Sequence, residues 1–398
     1  MDKLLWISEF VPYDNVDHAG GQNHNYHLKY INNSGEFEIN LVSFSTTKEK
    51  DKLDLDKYKI KNHIFIKKDI EKNIFKKIQI KINKLSNNAG FLDKGKEREV
   101  IKYLNDLKNK GYYPKYIILQ WTGIIFMIDK IKRIFNDSKI IGIEEDVSFL
   151  ALLRKKEYEK HFIRKKLRDI QYNKLKKTEI KALDKLDLVV VNNKKDEKLL
   201  LDNNLKKEIF CLPPFFHSYL EEKYERKNNN IIFFGAMNRP ENYLSVIYFI
   251  KNIFIKIKKE NMKFIVIGSK PPLELLNYQN EFIDILGYVP DVSPFFRESM
   301  CLVAPLVLGA GVKVKILEAM SAGLPIITND IGIEGIDAKN ECEYFHANND
   351  DDYINSINDL LDNYKLSKEI SLNAKKFIKD NYDIKSNMDN FILKIKGL

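Results

Sequence analysis

The stretch LVLGAGVKVKILEAMSAGLPIITNDIGIEGI, from Leu306 to Ile336, decides the fold of the second half of this chain. It predicts the end of a strand, a glycine loop, a helix that stops at Gly323, and a new strand from Pro325. Gly309 and Gly311 leave the backbone of the loop bare, so a ligand can approach closely. The next helix directs free N–H groups and its positive dipole end at the loop, which indicates an anion site.

Charged side chains on the predicted helix extend this interpretation. Lys315 and Glu318 are three residues apart and share a helix face, and Lys313 adds a second positive charge. A lysine there can hold phosphate while Glu318 accepts hydrogen bonds from ribose hydroxyls. The alternative is an ordinary strand–helix turn in which Lys315 and Glu318 form a surface ion pair. The loop is not a Walker motif, because GxxxxGK[ST] is absent.

Short apolar runs alternate with helical patterns along the whole chain. The runs near residues 118, 141 and 189 are almost entirely apolar, which is typical of parallel strands buried on both faces. This alternation predicts an α/β fold of two Rossmann-like doubly wound domains that face a central cleft. Strands are predicted at 4–10, 37–44, 63–68, 116–122, 139–145, 186–193, 231–237, 263–269, 282–289, 300–306 and 325–330.

The chain of 398 residues is too long for one typical core. A double proline in LPPFF (212–216) and the polar run ERKNNN (225–230) mark a boundary between two domains. We predict an N-terminal domain over 1–212, a linker over 213–229, a C-terminal domain over 230–375 and a terminal helix over 376–398.

Composition limits the classes of protein. Three widely spaced cysteines argue against a disulfide scaffold or a zinc site and favour a reducing compartment. The N-terminal run is too short for a signal peptide, and the longest apolar run (116–128) falls short of the ~20 residues of a membrane helix. We therefore expect a cytoplasmic protein, with attachment to the inner face of the cell membrane as a second possibility.

The net charge of +10 is concentrated in two basic stretches of the first half, 67–84 and 154–185. Either these are solvated helix faces, or they form a surface for anionic lipid or an anionic acceptor. We predict no nucleic-acid partner, because the stretches lack interleaved aromatic residues and any recognisable nucleic-acid-binding motif.

Other candidate binding residues also follow predicted strands. Gly20 and Gly21 form a second bare loop, and Arg239 can clamp a phosphate with two hydrogen bonds or lie on the surface. The run Glu144–Asp146 ends a buried strand, where carboxylates orient hydroxyls, transfer protons or cap the next helix. No catalytic metal is indicated: HExxH is absent, and the DxD letters of LDLDKY (53–58) lie in a polar segment.

An ordered set of segments over Ile231–Ile336 resembles the GT-B-fold glycosyltransferases, specifically the retaining family four of bacterial sugar transferases. The set comprises FFGAMNRPEN, FIVIGSKPP, ILGYVPDVSPFF, VAPLVLGAGVKVKILEAMSAGLPIIT and IGIEGI. A weaker resemblance covers the first half through AGGQNH, EEDVSF and VVVNNKKDEKLL. The resemblance thus extends over nearly the full chain.

The resemblance implies a nucleotide-diphospho-sugar donor bound mainly on the second domain. Glu318 matches the glutamate that binds ribose, Lys315 matches a phosphate-binding lysine, and Val289 lies where the backbone meets the base. Gly21 matches the glycine pair that closes over the phosphates. The terminal helix is expected to return to the first domain. The predicted nucleotide-sugar-binding residues are Gly20, Gly21, Arg239, Gly268, Val289, Gly311, Val312, Lys313, Lys315 and Glu318, and the predicted catalytic residues are Glu145, Asp146 and Lys315.

Two positions depart from the family pattern. Ala310 stands where many relatives have the first glutamate of a pair, eight residues before Glu318. Glu145 replaces the histidine of a His-Asp pair, while Asp146 remains. These departures leave open a non-catalytic GT-B partner subunit and, because it shares the fold, a nucleotide-sugar epimerase.

The expected activity is a retaining, metal-independent glycosyl transfer from a UDP-sugar. The acceptor is a glycan, a lipid-linked glycan or a protein, in the synthesis of bacterial envelope or surface glycans. No cofactor is expected, since the nucleotide-sugar is a co-substrate.

Overall fold

The computed structural model describes residues 1–398 except 15, 17, 18, 54–57, 59, 61, 68–90, 92, 158, 258 and 310, and leaves out the side chains of 47, 48, 62 and 67. Most of the basic stretch 67–84, most of the LDLDKY segment and Ala310 therefore lie outside the described residues. The chain divides into two compact units, Met1–Pro213 with Lys385–Leu398, and Pro214–Ile384.

The first unit is built on a parallel sheet with strand order β3-β2-β1-β4-β5-β6-β7 in the described part of the chain. Its central strands are buried except at the first residues of β1 and β5, because helices cover both faces of a parallel sheet. The strands are β1 Asp2–Ser8, β2 Phe37–Ser45, β3 Asn62–Lys67, β4 Tyr116–Gln120, β5 Lys139–Glu144, β6 Leu188–Val191 and β7 Ile209–Cys211. The helices before the second unit are α1 Ala19–Asn33, α2 Thr47–Lys50, α3 Lys94–Asn109, α4 Thr122–Ile125, α5 Ile128–Ile134, α6 Ser148–Glu157, α7 Phe162–Leu183 and α8 Lys194–Asp202.

The second unit repeats this architecture with strand order β10-β9-β8-β11-β12-β13 among its described residues. Its strands are β8 Ile231–Phe234, β9 Phe264–Ile267, β10 Ile283–Gly287, β11 Cys301–Ala304, β12 Ile326–Thr328 and β13 Phe345–His346. Its helices are α9 Pro240–Phe249, α10 Ile255–Ile257, α11 Leu273–Leu276, α12 Ser293–Glu298, α13 Val314–Ala322, α14 Asp350–Asp362 and α15 Tyr364–Asn381. A π-helical segment, Ile250–Phe254, joins α9 to α10.

The predicted helix stop at Gly323 is confirmed. Gly323 caps α13 in the left-handed conformation with φ 80°, a region that glycine enters without steric cost. The predicted fold class, two Rossmann-like α/β units, is also confirmed. The sequence pattern missed β7 and β13, because three and two residues are too few to show a strand period.

The last helix, α16 Ile384–Lys396, belongs to the first unit from Lys385 onward, as expected of a terminal helix that returns to it. Its Phe391 stacks on Phe210 with ring centroids 5.6 Å apart, and the Tyr30 hydroxyl donates to Asp389 at 2.7 Å. The helix begins eight residues later than the predicted start at 376, because α15 continues to Asn381 within the second unit.

The segment predicted as a linker packs on the second unit from residue 214 onward. The N–H of Tyr219 donates to Ser321 Oγ at 2.9 Å, and the Tyr224 hydroxyl donates to the carbonyl of Met300 at 3.2 Å. Arg226 Nη1 donates to the carbonyl of Leu360 at 2.5 Å. Local composition did not predict these contacts, since their partners are 76 to 134 residues away.

Among the residues that the structure describes, no helix combines the length and the apolar character required to cross a bilayer.

Candidate functional site

The order of the strands identifies where each sheet is suited to hold a ligand. The order reverses between β1 and β4 in the first unit, and between β8 and β11 in the second. Ligands of open α/β sheets bind beyond the carboxyl ends of the strands at such reversals. The loop after β8 carries Arg239, and the loop after β11 carries the glycines and Lys313, so the second unit places its predicted anion-binding groups at its reversal.

Lys315 lies in the first turn of α13 and points back toward β8. Its Nζ donates to Asn242 Oδ1 at 2.7 Å and lies 4.4 Å from the centroid of the Phe233 ring. Burial, followed by the positive charges of Lys313 and Arg239, lowers the pKa of Lys315 to about 7. A bound anion at this position would favour the charged ammonium and raise that pKa again.

Two further cations flank Lys315. Arg239 precedes α9 as its N-cap residue, is more than half exposed, and forms an ion pair with Glu241 at 2.6 Å. Lys313 is the N-cap residue of α13, and its Nζ donates to the Gly311 carbonyl at 2.5 Å and lies 3.7 Å from Glu334. The site therefore gathers three positive side chains beside the start of two helices, an arrangement that favours a multiply charged anion.

Glu318 lies one turn beyond Lys315. Its Oε1 accepts the backbone N–H of His217 at 3.3 Å, and burial raises its pKa to about 7. Within the described residues no ion pair joins Lys315 to Glu318, so the alternative of a surface pair between them is not what the structure has. Val312, partly buried, precedes this helix and packs against the apolar core of the second unit.

Two glycines bring the ends of β8 and β9 into contact. Gly235 and Gly268 have φ of 152° and 153°, and a Cβ on Gly268 would lie 1.7 Å from the carbonyl oxygen of Gly235. The N–H of Gly268 donates to the carbonyl of Gly287 at the end of β10, at 2.7 Å. Val289, two residues further on, is partly buried against the core. The bare backbone at 268 is thus required by the packing of adjacent loops.

In the first unit, Gly20 and Gly21 differ from the expectation of a loop before the helix. Both lie in the first turn of α1, and Gly21 is buried. A Cβ on Gly20 would lie 3.5 Å from the Trp121 ring and 3.8 Å from Glu145 Cγ. The helix begins earlier than predicted, and Gly20 lies beside one of the predicted catalytic carboxylates.

Glu145 is held by three side-chain amides from distant parts of the first unit. Gln120 Nε2 donates to its Oε1 at 2.6 Å, while Asn23 and Asn192 donate to its Oε2 at 3.0 and 3.2 Å. Burial raises the pKa of Glu145, and these three hydrogen bonds oppose that shift. An ionised carboxylate accepts about four hydrogen bonds, and the three amides occupy three of these positions. The neighbouring Asp146 is exposed.

Glu144 is more deeply buried than its two acidic neighbours. Its Oε2 accepts from the Thr122 hydroxyl at 2.5 Å, and its Oε1 has no hydrogen-bond partner. Glu179 of α7 accepts the N–H groups of Ser148 and Phe149, at 2.8 and 3.0 Å, and so caps the start of α6. Burial raises the pKa of Glu144 to about 8 and the pKa of Glu179 well above its usual range. Burial therefore favours the neutral form of Glu144 over its carboxylate.

Substitution of Glu144 by Gln is expected to stabilise the protein above pH 5. Because its folded-state pKa is raised, wild-type stability is fully present below about pH 4.5 and is lost as the pH rises toward 8. Glutamine has no proton to lose, so the advantage of Glu144→Gln should grow over this interval to roughly 1–3 kcal/mol. Urea unfolding at pH 5 and pH 8 measures it, with exposed Glu99→Gln as the control. An equal difference at both pH values would show that Glu144 is already ionised in the folded protein.

Sequence reasoning missed the side chains that position the predicted ones: Asn242 beside Lys315, the amides of Asn23, Gln120 and Asn192 around Glu145, and Glu179. Asn242 had a local signal, since it lies three residues after Arg239 at the start of a helix. Polar Gln120, which ends an apolar strand, was another signal. The remaining pairings join residues 122, 47 and 31 positions apart, which no local pattern records.

The structure thus gathers the predicted residues into two groups. Arg239, Gly268, Val289, Gly311, Val312, Lys313, Lys315 and Glu318 lie in the second unit, whereas Gly20, Gly21, Glu145 and Asp146 lie in the first. Their roles in binding and catalysis stay predictions. In the part of the chain that the structure describes, no group of three or more His, Cys, Asp or Glu side chains is arranged to hold a metal ion.

Part of the second unit matches a known family. Residues 228–363 match the family Glycosyl transferases group 1. The matched range contains every predicted binding residue of the second unit. Together with the fold, the match supports a group 1 glycosyltransferase.

A curated relative extends this comparison. An uncharacterized 44.6 kDa protein in the cps region of Klebsiella pneumoniae is 25% identical over 182 residues, which cover 42% of this chain and 46% of that protein. The match thus spans about half the length of the relative.

Solved structures share the whole two-unit fold of the GT-B glycosyltransferases. Sucrose-phosphate synthase from Thermosynechococcus elongatus has a TM-score of 0.69 at 11% identity and covers 100% of this chain and 99% of its own. HepE of Anabaena with UDP and glucose has a TM-score of 0.67 at 10% identity, covering 100% of both chains. A mutant of S. aureus TarM with Fondaparinux, alpha-GlcNAc-glycerol and UDP has a TM-score of 0.65 at 12% identity, covering 99% and 100%. At these identities the likeness shows the fold alone.

Proposed function

We propose that this chain is a glycosyltransferase that moves a sugar from a UDP-sugar to a glycan, lipid-linked or protein acceptor with retention. The observation that carries the proposal is the gathering of Lys315, Lys313 and Arg239 at the starts of α9 and α13. Among the described residues, the buried Lys315 amine is hydrogen-bonded only to the neutral amide of Asn242, so this group favours a ligand that carries negative charge. A nucleoside diphosphate supplies that charge. The match of residues 228–363 to group 1 glycosyltransferases supports the same assignment.

In the proposed reaction, the bond from the anomeric carbon to the diphosphate breaks as the acceptor oxygen bonds to that carbon on the same face. The acceptor's proton passes to the leaving diphosphate, so no strong protein base and no metal ion are needed. Lys315, Lys313 and Arg239 stabilise the charge that develops on the leaving group, which is the main electrostatic contribution available here. Glu318 binds the ribose hydroxyls, and the backbone at Val289 meets the base.

The first unit is proposed to act on the sugar or the acceptor. Glu145 accepts a hydrogen bond from a hydroxyl through its remaining acceptor position, and Asp146 is exposed beside it. Gly20 and Gly21 lie in the first turn of α1, and their proposed role is to bind the nucleotide-sugar through backbone N–H groups.

The choice of UDP and of a surface glycan rests on relatives. HepE and TarM have been solved with UDP, HepE also with UDP-glucose, and TarM with alpha-GlcNAc-glycerol. The Klebsiella relative is encoded in a cps region. We therefore propose a role in bacterial envelope or surface glycan synthesis. Release of UDP from a panel of UDP-sugars, with and without glycan acceptors, tests the activity, and a chain that binds no nucleotide would contradict it.

Binding of UDP is expected to take up protons at pH 8. Lys315 is mostly neutral at that pH, since its pKa is about 7, and the diphosphate raises this pKa so that the amine binds a proton. Glu318 is mostly ionised at pH 8, because its pKa is also about 7, and so contributes little. Affinity should fall by up to about tenfold per pH unit above pH 7, until the pH exceeds the pKa of the complex.

Titration calorimetry in Tris and in HEPES at pH 8 measures this uptake through the different ionisation enthalpies of the buffers. Lys315→Ala should remove most of the uptake, whereas Lys376→Ala, an exposed lysine on α15, should retain it. If proton uptake persists in Lys315→Ala, a group other than Lys315 binds the proton.

A further inference from the structure

The first two turns of α7 expose a set of apolar side chains that the proposed transfer reaction does not use. Phe162 is 79% exposed, Ile163 63%, Leu167 46% and Ile170 46%. Residues 161–167 are all exposed, so no part of the unit that the structure describes covers the start of this helix. Such a group of large apolar side chains on one element indicates an interaction surface.

The helical period places these side chains on one face. At ~100° per residue, Phe162, Ile163, Leu167 and Ile170 fall within a sector of about 140°. The buried residues of the same helix, Leu175, Glu179, Ala182 and Leu183, centre on roughly the opposite direction. The apolar face at the start of α7 therefore points away from the core that anchors its other end.

Basic side chains surround this face. Residues 154–170 contain eight Lys or Arg and three Asp or Glu, a net charge of +5 against +10 for the whole chain. Two of the three acidic residues are engaged internally, since Asp169 pairs with Lys156 and Glu159 pairs with Arg168 at 3.1 Å. The exposed basic residues are Lys155, Lys160, Arg164, Lys165 and Lys166.

We propose that this surface, which we call the α7 face, docks on an anionic lipid bilayer. Its four apolar side chains insert at the boundary of headgroups and acyl chains while its lysines and arginines bind the anionic headgroups. Charge complementarity selects this partner, and the exposed aromatic and aliphatic side chains favour it over nucleic acid, whose phosphates attract only the basic residues. The proposal concerns the first unit and is independent of the sugar-donor site.

Docking through the α7 face would bring the protein to the membrane that holds a lipid-linked acceptor. A lipid-linked acceptor is confined to a membrane, and docking through the α7 face would hold the enzyme at the same surface. Glu179 of α7, whose carboxylate binds the start of α6, fixes the base of this helix to the unit that carries Glu145. The α7 face is therefore a positioned surface of the first unit.

Sedimentation of the full chain with vesicles tests the proposal. Vesicles of phosphatidylcholine with one quarter phosphatidylglycerol should bind the wild-type chain, and vesicles of phosphatidylcholine alone should bind it at least tenfold more weakly. Binding to the anionic vesicles should weaken as salt rises, because the headgroup attraction is screened.

Two double variants separate the two components of the surface. Lys165→Glu with Lys166→Glu should lower the partition coefficient by a factor of about 10–100, since each lysine near the surface contributes about fivefold. Ile163→Asn with Leu167→Asn should lower it about tenfold or more and leave the salt dependence intact. All four residues are exposed, so the folded structure should be retained, as circular dichroism checks.

Matched controls lie on α15 in the second unit. Lys376→Glu with Lys379→Glu reverses the same number of exposed charges, and Leu372→Asn removes an apolar side chain that is 70% exposed. Both should bind anionic vesicles as the wild type does. Absence of wild-type binding to anionic vesicles, or equal losses in the variants and the controls, would overturn the assignment of the α7 face to a lipid surface. The vesicle assay requires no turnover, so its result is distinguishable from failure of the proposed transferase activity.

Discussion

Replacement of Lys315 by Ala is expected to lower kcat/KM for the UDP-sugar by about 10²–10³-fold, the effect of removing one preorganised group that stabilises developing charge. The reason is its position at the centre of the cation group, where it contacts Asn242 and the Phe233 ring and lies beside Lys313 and Arg239. The measurement is UDP release from the best sugar donor of the panel, at saturating and at low concentration.

Three further variants test whether the loss is specific to the Lys315 amine. Lys376→Ala, on exposed α15, should keep wild-type turnover. Glu318→Ala should raise KM for the UDP-sugar about 10–100-fold with a smaller change in kcat, because ribose is remote from the bond that breaks. Asn242→Ala should give a smaller loss than Lys315→Ala, since it only positions the amine. Unchanged turnover in both Lys315→Ala and Glu318→Ala would show that the donor does not bind at the second unit's glycine loop.

Replacement of Gly268 by Ala is expected to destabilise the second unit by about 3 kcal/mol or more. The added Cβ would lie 1.7 Å from the carbonyl oxygen of Gly235, and the φ of 153° is strained for any residue with a side chain. The two loops must therefore separate, which disturbs the ends of β8 and β9 where the diphosphate is proposed to bind. At roughly 2–4 °C per kcal/mol, the Tm should fall by about 6–12 °C.

The matched control is Gly397→Ala near the end of the chain, where the nearest atom to an added Cβ is 3.5 Å away and the Tm should stay within about 2 °C of wild type. Saturating UDP should recover part of the loss in Gly268→Ala if the nucleotide binds the native loops. A Tm for Gly268→Ala equal to that of Gly397→Ala would mean that the loops after β8 and β9 are not in contact.

The placement of the charged residues in the second unit was largely predictable from sequence. Glycines, Lys313, Lys315 and Glu318 follow each other within ten residues, so their placement depends only on one strand, one loop and one helix turn. The strands nearest this loop were also predictable, because strands buried on both faces must be continuously apolar. What the local pattern could not give is the partner of each charged group: Lys315 meets Asn242, and Glu318 meets the N–H of His217.

The first unit was predicted less well for a physical reason. Gly20 and Gly21 have no side chain, so they contribute neither a capping group nor an apolar period that would mark the start of α1. Helix ends depend on which backbone groups form hydrogen bonds, and this is decided in the folded chain. Likewise, the run Glu144–Asp146 offers three similar carboxyl groups, and only burial and partners separate them. Glu144 lies beside Thr122 in the interior, Glu145 accepts three amides, and Asp146 is exposed.

The sequence by itself determined the two Rossmann-like units, the glycine loop after β11 and the excess of basic residues in 154–185, because each depends on the period and composition of a continuous segment. Only the tertiary structure decided which of these groups have partners. The lowered pKa of Lys315, the amides around Glu145, the backbone contact at Gly268 and the outward apolar face of α7 all depend on residues far apart in the chain. Burial and partner distance set the charge and orientation of a side chain, and both are properties of the folded chain.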